Sequence, residues 1–213
     1  AKDNTNKIVR IDIINLAALP SSFFDDDGKL IEINLMRKIE HSNIPKLLDE
    51  GITIINQEKY AYLVFEFISG ESLTEKLKRE GNISPYEAIP IICQILDILG
   101  YLHNLTEPVV HNGVTPDAVF IDYSSRAKTP YLIGFEQSRT IFSGTHSLSI
   151  KNLSIFHSAP ELFNGIFIPK SDIFSVGTLL YQLFIGIPPW YNENIIQQPI
   201  NKIKKLIEQA RER

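Results

Sequence analysis

Polar residues interrupt β-branched runs at regular intervals near the start of the chain. Ile8 to Ile14 reads Ile-Val-Arg-Ile-Asp-Ile-Ile, with polar side chains at alternate positions, the pattern of a half-exposed strand. Asp25-Asp26-Asp27 places negative charge ahead of a helical stretch, Lys29 to Ile39, where it suits the positive end of the helix dipole. Two more strands are expected at Leu47–Ile55 and Tyr60–Phe67, joined by the polar turn Asn56-Gln57-Glu58-Lys59.

Beyond Phe67 the period lengthens to that of helices. Ser72-Leu73-Thr74-Glu75 is a capping-box pattern, and Gly81 stands where that short helix should stop. Ser84-Pro85-Tyr86-Glu87 repeats the device and opens a helix to about His103. Its residues Ile89, Ile92, Ile95, Leu96 and Leu99 fall at spacings of three and four, which predicts one core-facing stripe. Ser171-Asp172 starts a third helix, Ile173 to Phe184, closed by Gly186 and Pro188; being apolar nearly all round, it is expected to be buried on most sides. Pro199–Arg213 reads as an amphipathic helix, with Ile200, Ile203 and Ile207 inward and Lys202, Lys204, Lys205, Arg211 and Arg213 on a solvated face. A boundary near Ile68-Ser69-Gly70-Glu71 divides the chain into a strand-rich unit, residues 1–68, and a helical unit, residues 69–213.

Composition narrows the class. The 213 residues are 44% apolar, enough to bury a sizeable core. A net charge of -4, with both signs spread along the chain, argues against a nucleic-acid surface, which needs a concentrated basic face. The single cysteine, Cys93, excludes an internal disulfide framework and fits a reducing, cytoplasmic setting; its position predicts burial in the helix stripe. No apolar run reaches the ~18 residues of a membrane span, and the polar start is unlike a signal peptide.

The stretch Val109-Val110-His111-Asn112-Gly113-Val114-Thr115-Pro116-Asp117-Ala118-Val119-Phe120 resembles the catalytic loop of protein kinases. Further landmarks follow in order. Leu132-Ile133-Gly134-Phe135-Glu136 stands where kinases carry Asp-Phe-Gly, Ala159-Pro160-Glu161 matches the motif closing the activation segment, and Ser171–Gly177 with Gly186–Trp190 resembles the central helix of the large lobe. Upstream, Ile39–Ile44 and Tyr62–Phe67 resemble the segments leading from the small-lobe helix to the hinge. The resemblance implies an α+β, two-lobed kinase-like fold: a truncated small antiparallel-sheet lobe and a mainly helical large lobe. The glycine-rich loop and the last helices of the family are not visible, so the chain reads as a fragment of a longer protein.

Residue by residue, the resemblance implies losses. Asp12 stands at the position of the phosphate-holding lysine, while a shift of two residues puts Arg10 there instead. Glu32 matches the small-lobe glutamate that pairs with that lysine. Gly113 replaces the catalytic aspartate, Thr115 the usual lysine of the loop, and Ala118 and Gly134 the two metal ligands. Arg10 and Phe120 are bulky where the family makes room for adenine, which predicts an occluded cleft. Met36, Leu47, His111 and Phe135 match the hydrophobic stack coupling the lobes, Asp172 the anchor of the catalytic loop, and Glu161 the closing glutamate of the activation segment; these read as structural. The expectation is a protein that is not an enzyme and binds no ATP, cofactor or metal, acting as an interaction or allosteric module on a protein partner or a flanking domain. Ser143, Thr145 and Ser147 are expected to be solvated hydroxyls. The rival expectation is a divergent kinase-fold transferase using Arg10, Glu32, Glu136 and Asp117 in altered roles.

Overall fold

The computed structural model describes residues 1–3, 5–124, 128–141, 153–193, 197–198 and 200–211. Ser143, Thr145, Ser147 and Arg213, and the side chains of Ile200, Ile203 and Lys204, lie outside the described residues.

A small antiparallel sheet is built from β1 (Val9–Asn15), β2 (Leu47–Ile55) and β3 (Glu58–Glu66) in the order β1-β3-β2. Asn56 and Gln57 both take positive φ, 51° and 69°, so β2 and β3 are joined by a two-residue turn whose twist matches the strands. Helix α1 (Ile31–Met36) packs on the inner face of this sheet and is shorter at both ends than the periodicity suggests. The residues ahead of it are committed to a loop closed on Asp25, whose Oδ1 accepts the amides of Asp27 and Lys29 and whose Oδ2 accepts Asn34 Nδ2.

The rest is mainly helical. Ser72 Oγ accepts the Glu75 amide while the Glu75 carboxylate accepts the Ser72 amide, so both halves of the capping box form at the start of α2 (Leu73–Glu80). Gly81 ends that helix at φ 80°. Helix α3 (Pro85–His103) opens with Pro85 in its first turn, but the Ser84 side chain makes no capping bond. Its buried stripe is Ala88, Ile91, Ile92, Ile95, Ile98, Leu99 and Leu102; Ile89, Leu96 and Cys93 face outward. The expected stripe was therefore out of phase at its edges, and Cys93 is an exposed thiol, not a core residue.

Short strands complete the fold. β4 (Gly70–Ser72), β6 (Val119–Asp122) and β7 (Thr129–Leu132) form a second antiparallel sheet, and β5 (Val109–Val110) pairs with β8 (Arg139–Thr140). Helix α4 (Pro169–Ile185) packs against α3. It buries Ser171, Asp172, Ser175, Val176, Thr178, Leu179 and Leu183 and exposes Ile173, Tyr181 and Ile185, so it is buried on one side, not most sides. The last helix, α5 (Ile200–Arg211), turns Ile207 inward and leaves Lys202 and Lys205 exposed. Arg211 is not solvated as expected: Nη2 donates to Ile155 O and Ser158 O, and its guanidinium lies 4.6 Å from the Trp190 ring centre.

One apolar core runs from Phe23, Leu35 and Leu63 beside the small sheet to Leu73, Ile95, Leu102, Val119, Leu132 and Leu179 among the helices. Polar ties reinforce it. The Leu132 amide donates to Asn43 O (2.9 Å), Asn43 Nδ2 to Pro130 O (2.9 Å), and the Glu40 amide to Tyr101 OH (3.0 Å).

Candidate functional site

The site lies where α1, β1, the loop after β5 and the turn after β7 meet. Asp172, fully buried in the first turn of α4, anchors the loop. Its Oδ2 accepts the His111 amide (2.8 Å) and His103 Nε2 (2.8 Å), and its Oδ1 accepts the Asn112 amide (2.8 Å). Three donors on one carboxylate compensate for its burial. Asn112 sits at φ 60°, held by hydrogen bonds that its Nδ2 donates to Val110 O and Gln137 O.

His111 is fully buried. Nε2 faces the Ile133 carbonyl at 3.1 Å and must donate to it; Nδ1 accepts the Gly113 amide at 3.2 Å. One nitrogen donating and the other accepting defines a neutral imidazole, and burial pushes its pKa down in the same direction. Its ring meets Phe135 edge-on, with centroids 4.8 Å apart. Phe135 is buried and opens the turn Phe135–Gln137, against which α1 packs. Met36 is buried on α1 and borders the same small void as Phe135, while Leu47, at the start of β2, is partly buried against the same core.

Arg10 and Asp12 share one face of β1. Arg10 Nε and Nη2 donate to Asp12 Oδ1 (3.1 Å) and Oδ2 (2.5 Å), and the guanidinium lies 5.0 Å from the Phe65 ring centre. Arg10 and Asp12 border a cavity of about 330 Å³ together with Glu32, Gly134 and Glu136. Burial, with repulsion from Glu136 and Asp12, pushes the Glu32 carboxyl up to about 8, against an opposing pull from Arg10. A second void, bordered by Arg10, Glu32, Phe65, Ile133 and Phe135, holds only about 10 Å³, at the limit of what one water needs. Phe120 does not border it; it lies partly buried in β6, paired with Ser72 and Tyr131.

The remaining positions separate. Gly113 faces the His111 ring, where an added Cβ would stand 3.6 Å away. Thr115 precedes the short turn Pro116–Ala118, its carbonyl accepting the Ala118 amide, and Asp117 on that turn is exposed. Gly134 takes φ 80°. Glu161 accepts Ser171 Oγ at 2.7 Å. Gly113, Ala118 and Gly134 offer no side-chain oxygen, and among the described residues no group of three or more His, Cys, Asp and Glu is placed to hold a metal ion.

Sequence reasoning missed Arg139. Its guanidinium is buried, meets no carboxylate among the described residues, and donates to Ser22 O, Glu136 O and Ser138 O; burial lowers its pKa to about 10. No local pattern marks this position, because the Ser22 carbonyl it ties down comes from a distant part of the chain.

The family of protein kinase domains matches residues 1–212, and the chain belongs to it. It is 29% identical over 174 residues to calcium-dependent protein kinase 5 of Plasmodium berghei, covering 82% of this chain and 30% of that protein. It is 27% identical over 195 residues to calcium/calmodulin-dependent protein kinase type 1 of Macrobrachium nipponense (91% and 53%), and 27% over 164 residues to the protein of that name from Caenorhabditis elegans (76% and 45%). The chain spans about half or less of the length of these relatives. Among the described residues no helix is long and apolar enough to cross a membrane.

These comparisons correct the expectation that the protein is not an enzyme. The family is one of kinases, and the relatives are named as protein kinases. The expectation inferred absent activity from absent residue types at single positions. Such a step assumes that no other side chain can supply the missing charge or proton acceptor.

Proposed function

We propose that this kinase-family domain acts within a longer, cytoplasmic protein as a protein-binding regulatory module, with lobes divided near residues 68 and 69. The supporting observation is a groove of about 280 Å³ beside α1, floored by Leu16, Phe24, Leu30, Ile33 and Ala61. Ile52, 68% exposed, lines it, and Ile54, equally exposed, lies beyond it on the same face of β2. Such an apolar edge suits an apolar segment of a protein partner or a flanking domain. One wall of the groove is α1, whose Met36 belongs to the same core as Phe135, so an occupant presses on the packing that joins the lobes. Amide hydrogen exchange tests the reading. In the longer protein, or with its partner bound, Leu30–Asn34 and Ile52–Ile55 should exchange more slowly than in this chain alone. Equal exchange in both would refute it.

The kinase names of the relatives favour a second reading, a divergent transferase. Any phosphoryl transfer here must draw its groups from residues such as Arg10, Glu32, Glu136 and Asp117, and Arg10, Glu32 and Glu136 share one cavity. Transfer of labelled phosphate from ATP above a heat-killed control, lost in Arg10→Ala, would support this reading.

A further inference from the structure

The 330 Å³ cavity beside α1 is unevenly lined. Leu19, Phe23 and Leu30 make an apolar side; Arg10, Asp12, Glu32 and Glu136 make a charged one. The Arg10 guanidinium is engaged by Asp12 through two donors. That leaves Glu32, on which Arg10 pulls only from a distance, and the exposed Glu136 as the carboxyl groups without a bonded cation. Among the described residues neither the Glu32 nor the Glu136 side chain makes a hydrogen bond or salt bridge. The Glu136 carboxylate folds over Gly134, its Oε2 3.5 Å from where a Cβ would stand there, so it faces the same space as Glu32.

We infer that this cavity takes an organic cation, an ammonium or guanidinium head on an apolar stem, with the head between Glu32 and Glu136 and the stem along Leu19, Phe23 and Leu30. The volume lies at the lower end of ordinary small-ligand pockets and far exceeds what a bare metal ion fills. Asp12 and Glu136 against one guanidinium, with Glu32 able to ionise as well, disfavour an anion. The apolar wall gives an alkyl stem a place out of water, and a buried carboxylate is strongly stabilised by a paired cation. This inference stands apart from the groove on the other side of α1.

The site also carries its own signature. The charged groups facing Glu32 are Arg10 and Asp12 from β1 and Glu136 from the turn after β7. With the Glu32 carboxyl raised to about 8, a cation pairing with it displaces a proton. Binding should therefore tighten about tenfold between pH 7 and pH 9.

Calorimetry with butylguanidinium, whose charge is fixed over this range, is the test. The expected result is saturable binding that tightens about tenfold from pH 7 to 9 and is absent for butylurea, its uncharged isostere. Glu32→Gln should weaken binding at least about tenfold at pH 9 and flatten the pH dependence; Glu136→Gln should weaken it and move the dependence to lower pH, because its repulsion helps Glu32 hold its proton. Circular dichroism checks that both variants fold. A parallel titration with butylamine distinguishes an ammonium from a guanidinium source, and saturable binding of either supports the site. No saturable heat from either cation, equal binding of butylurea, binding unchanged in Glu32→Gln, or displacement by equimolar Mg²⁺ would overturn the inference.

Discussion

Truncating Phe135 removes the ring that joins α1 to the loop at His111. The ring is 2% exposed and meets His111 edge-on at 4.8 Å. Phenylalanine-to-alanine changes in cores cost about 3–5 kcal/mol, the spread depending on how far neighbours collapse into the space. Here one neighbour can move and the other cannot. Met36 is a flexible side chain able to fill part of the gap. His111 is pinned at both nitrogens, by Ile133 O and the Gly113 amide. The edge-to-face contact, worth about 0.5–1.5 kcal/mol beyond its area, is lost outright. Phe135→Ala should therefore fall inside that core range, and urea unfolding should show its midpoint reduced by about 1–2.5 M for a slope near 2–3 kcal/mol/M. Phe135→Leu, which keeps most of the volume, should cost about 1 kcal/mol and provides the reading if the alanine variant does not fold. A loss below about 1 kcal/mol for Phe135→Ala would place the ring outside the core and refute the reasoning.

The two glycines at kinase motif positions should respond differently to aspartate. Gly113→Asp meets only an ordinary contact with the His111 ring and should change stability by less than about 0.5 kcal/mol; Gly134→Asp sits at φ 80° beside the Glu136 carboxylate and should cost about 1–3 kcal/mol, both read by thermal unfolding. Asp172→Asn should cost at least about 1.5–3 kcal/mol, since one charge-assisted acceptor for the His111, Asn112 and His103 donors becomes an NH₂ group, and denaturant unfolding measures it. Glu32 makes stability pH-dependent: its carboxyl is raised from 4.5 to about 8 in the folded chain, so between those values the native state holds a proton that the unfolded state has released. Its contribution is most favourable below about pH 4.5 and declines as pH rises to about 8. Glu32→Gln should leave stability unchanged near pH 4 and raise it at pH 9 by several kcal/mol, on the order of 5; unfolding at the two pH values checks this, and a variant less stable at pH 9 would contradict it.

What could be read from the sequence was local or tied to a long motif. The capping box at Ser72 and Glu75, the hairpin around Asn56 and Gln57, and Asp172 beneath the His111 loop all rest on short spacings or an ordered series of landmarks. The exact phase of α3 was not legible, because Ile89 and Leu96 are as apolar as the residues beside them and only the neighbouring helix decides which sides are covered. Cys93 was misplaced for the same reason. Arg139 and Arg211 look like ordinary surface cations in sequence; their burial depends on carbonyls supplied by Ser22, Ile155 and Ser158. The Arg10–Asp12 pair was foreseen as two competing registers and turned out to be one bonded unit on a single face of β1. The expected loss of enzyme status failed at a different link. A missing side chain removes one route to a reaction, whereas family membership reports the whole chain.

The central claim is that the groove beside α1 is mechanically joined to the loop at His111. It can be tested by filling the groove covalently. In a Cys93→Ser background, needed because Cys93 is exposed, Ile52→Cys is labelled with a small apolar thiol reagent. Hydrogen exchange is then followed at the amides of His111, Asn112, Ile133 and Ser138, which are bonded to Asp172, Ala118 O and Phe135 O. The account predicts that these distant amides slow by at least about fivefold, roughly 1 kcal/mol of added protection. Slowing confined to Leu30–Asn34 and the labelled strand would contradict it.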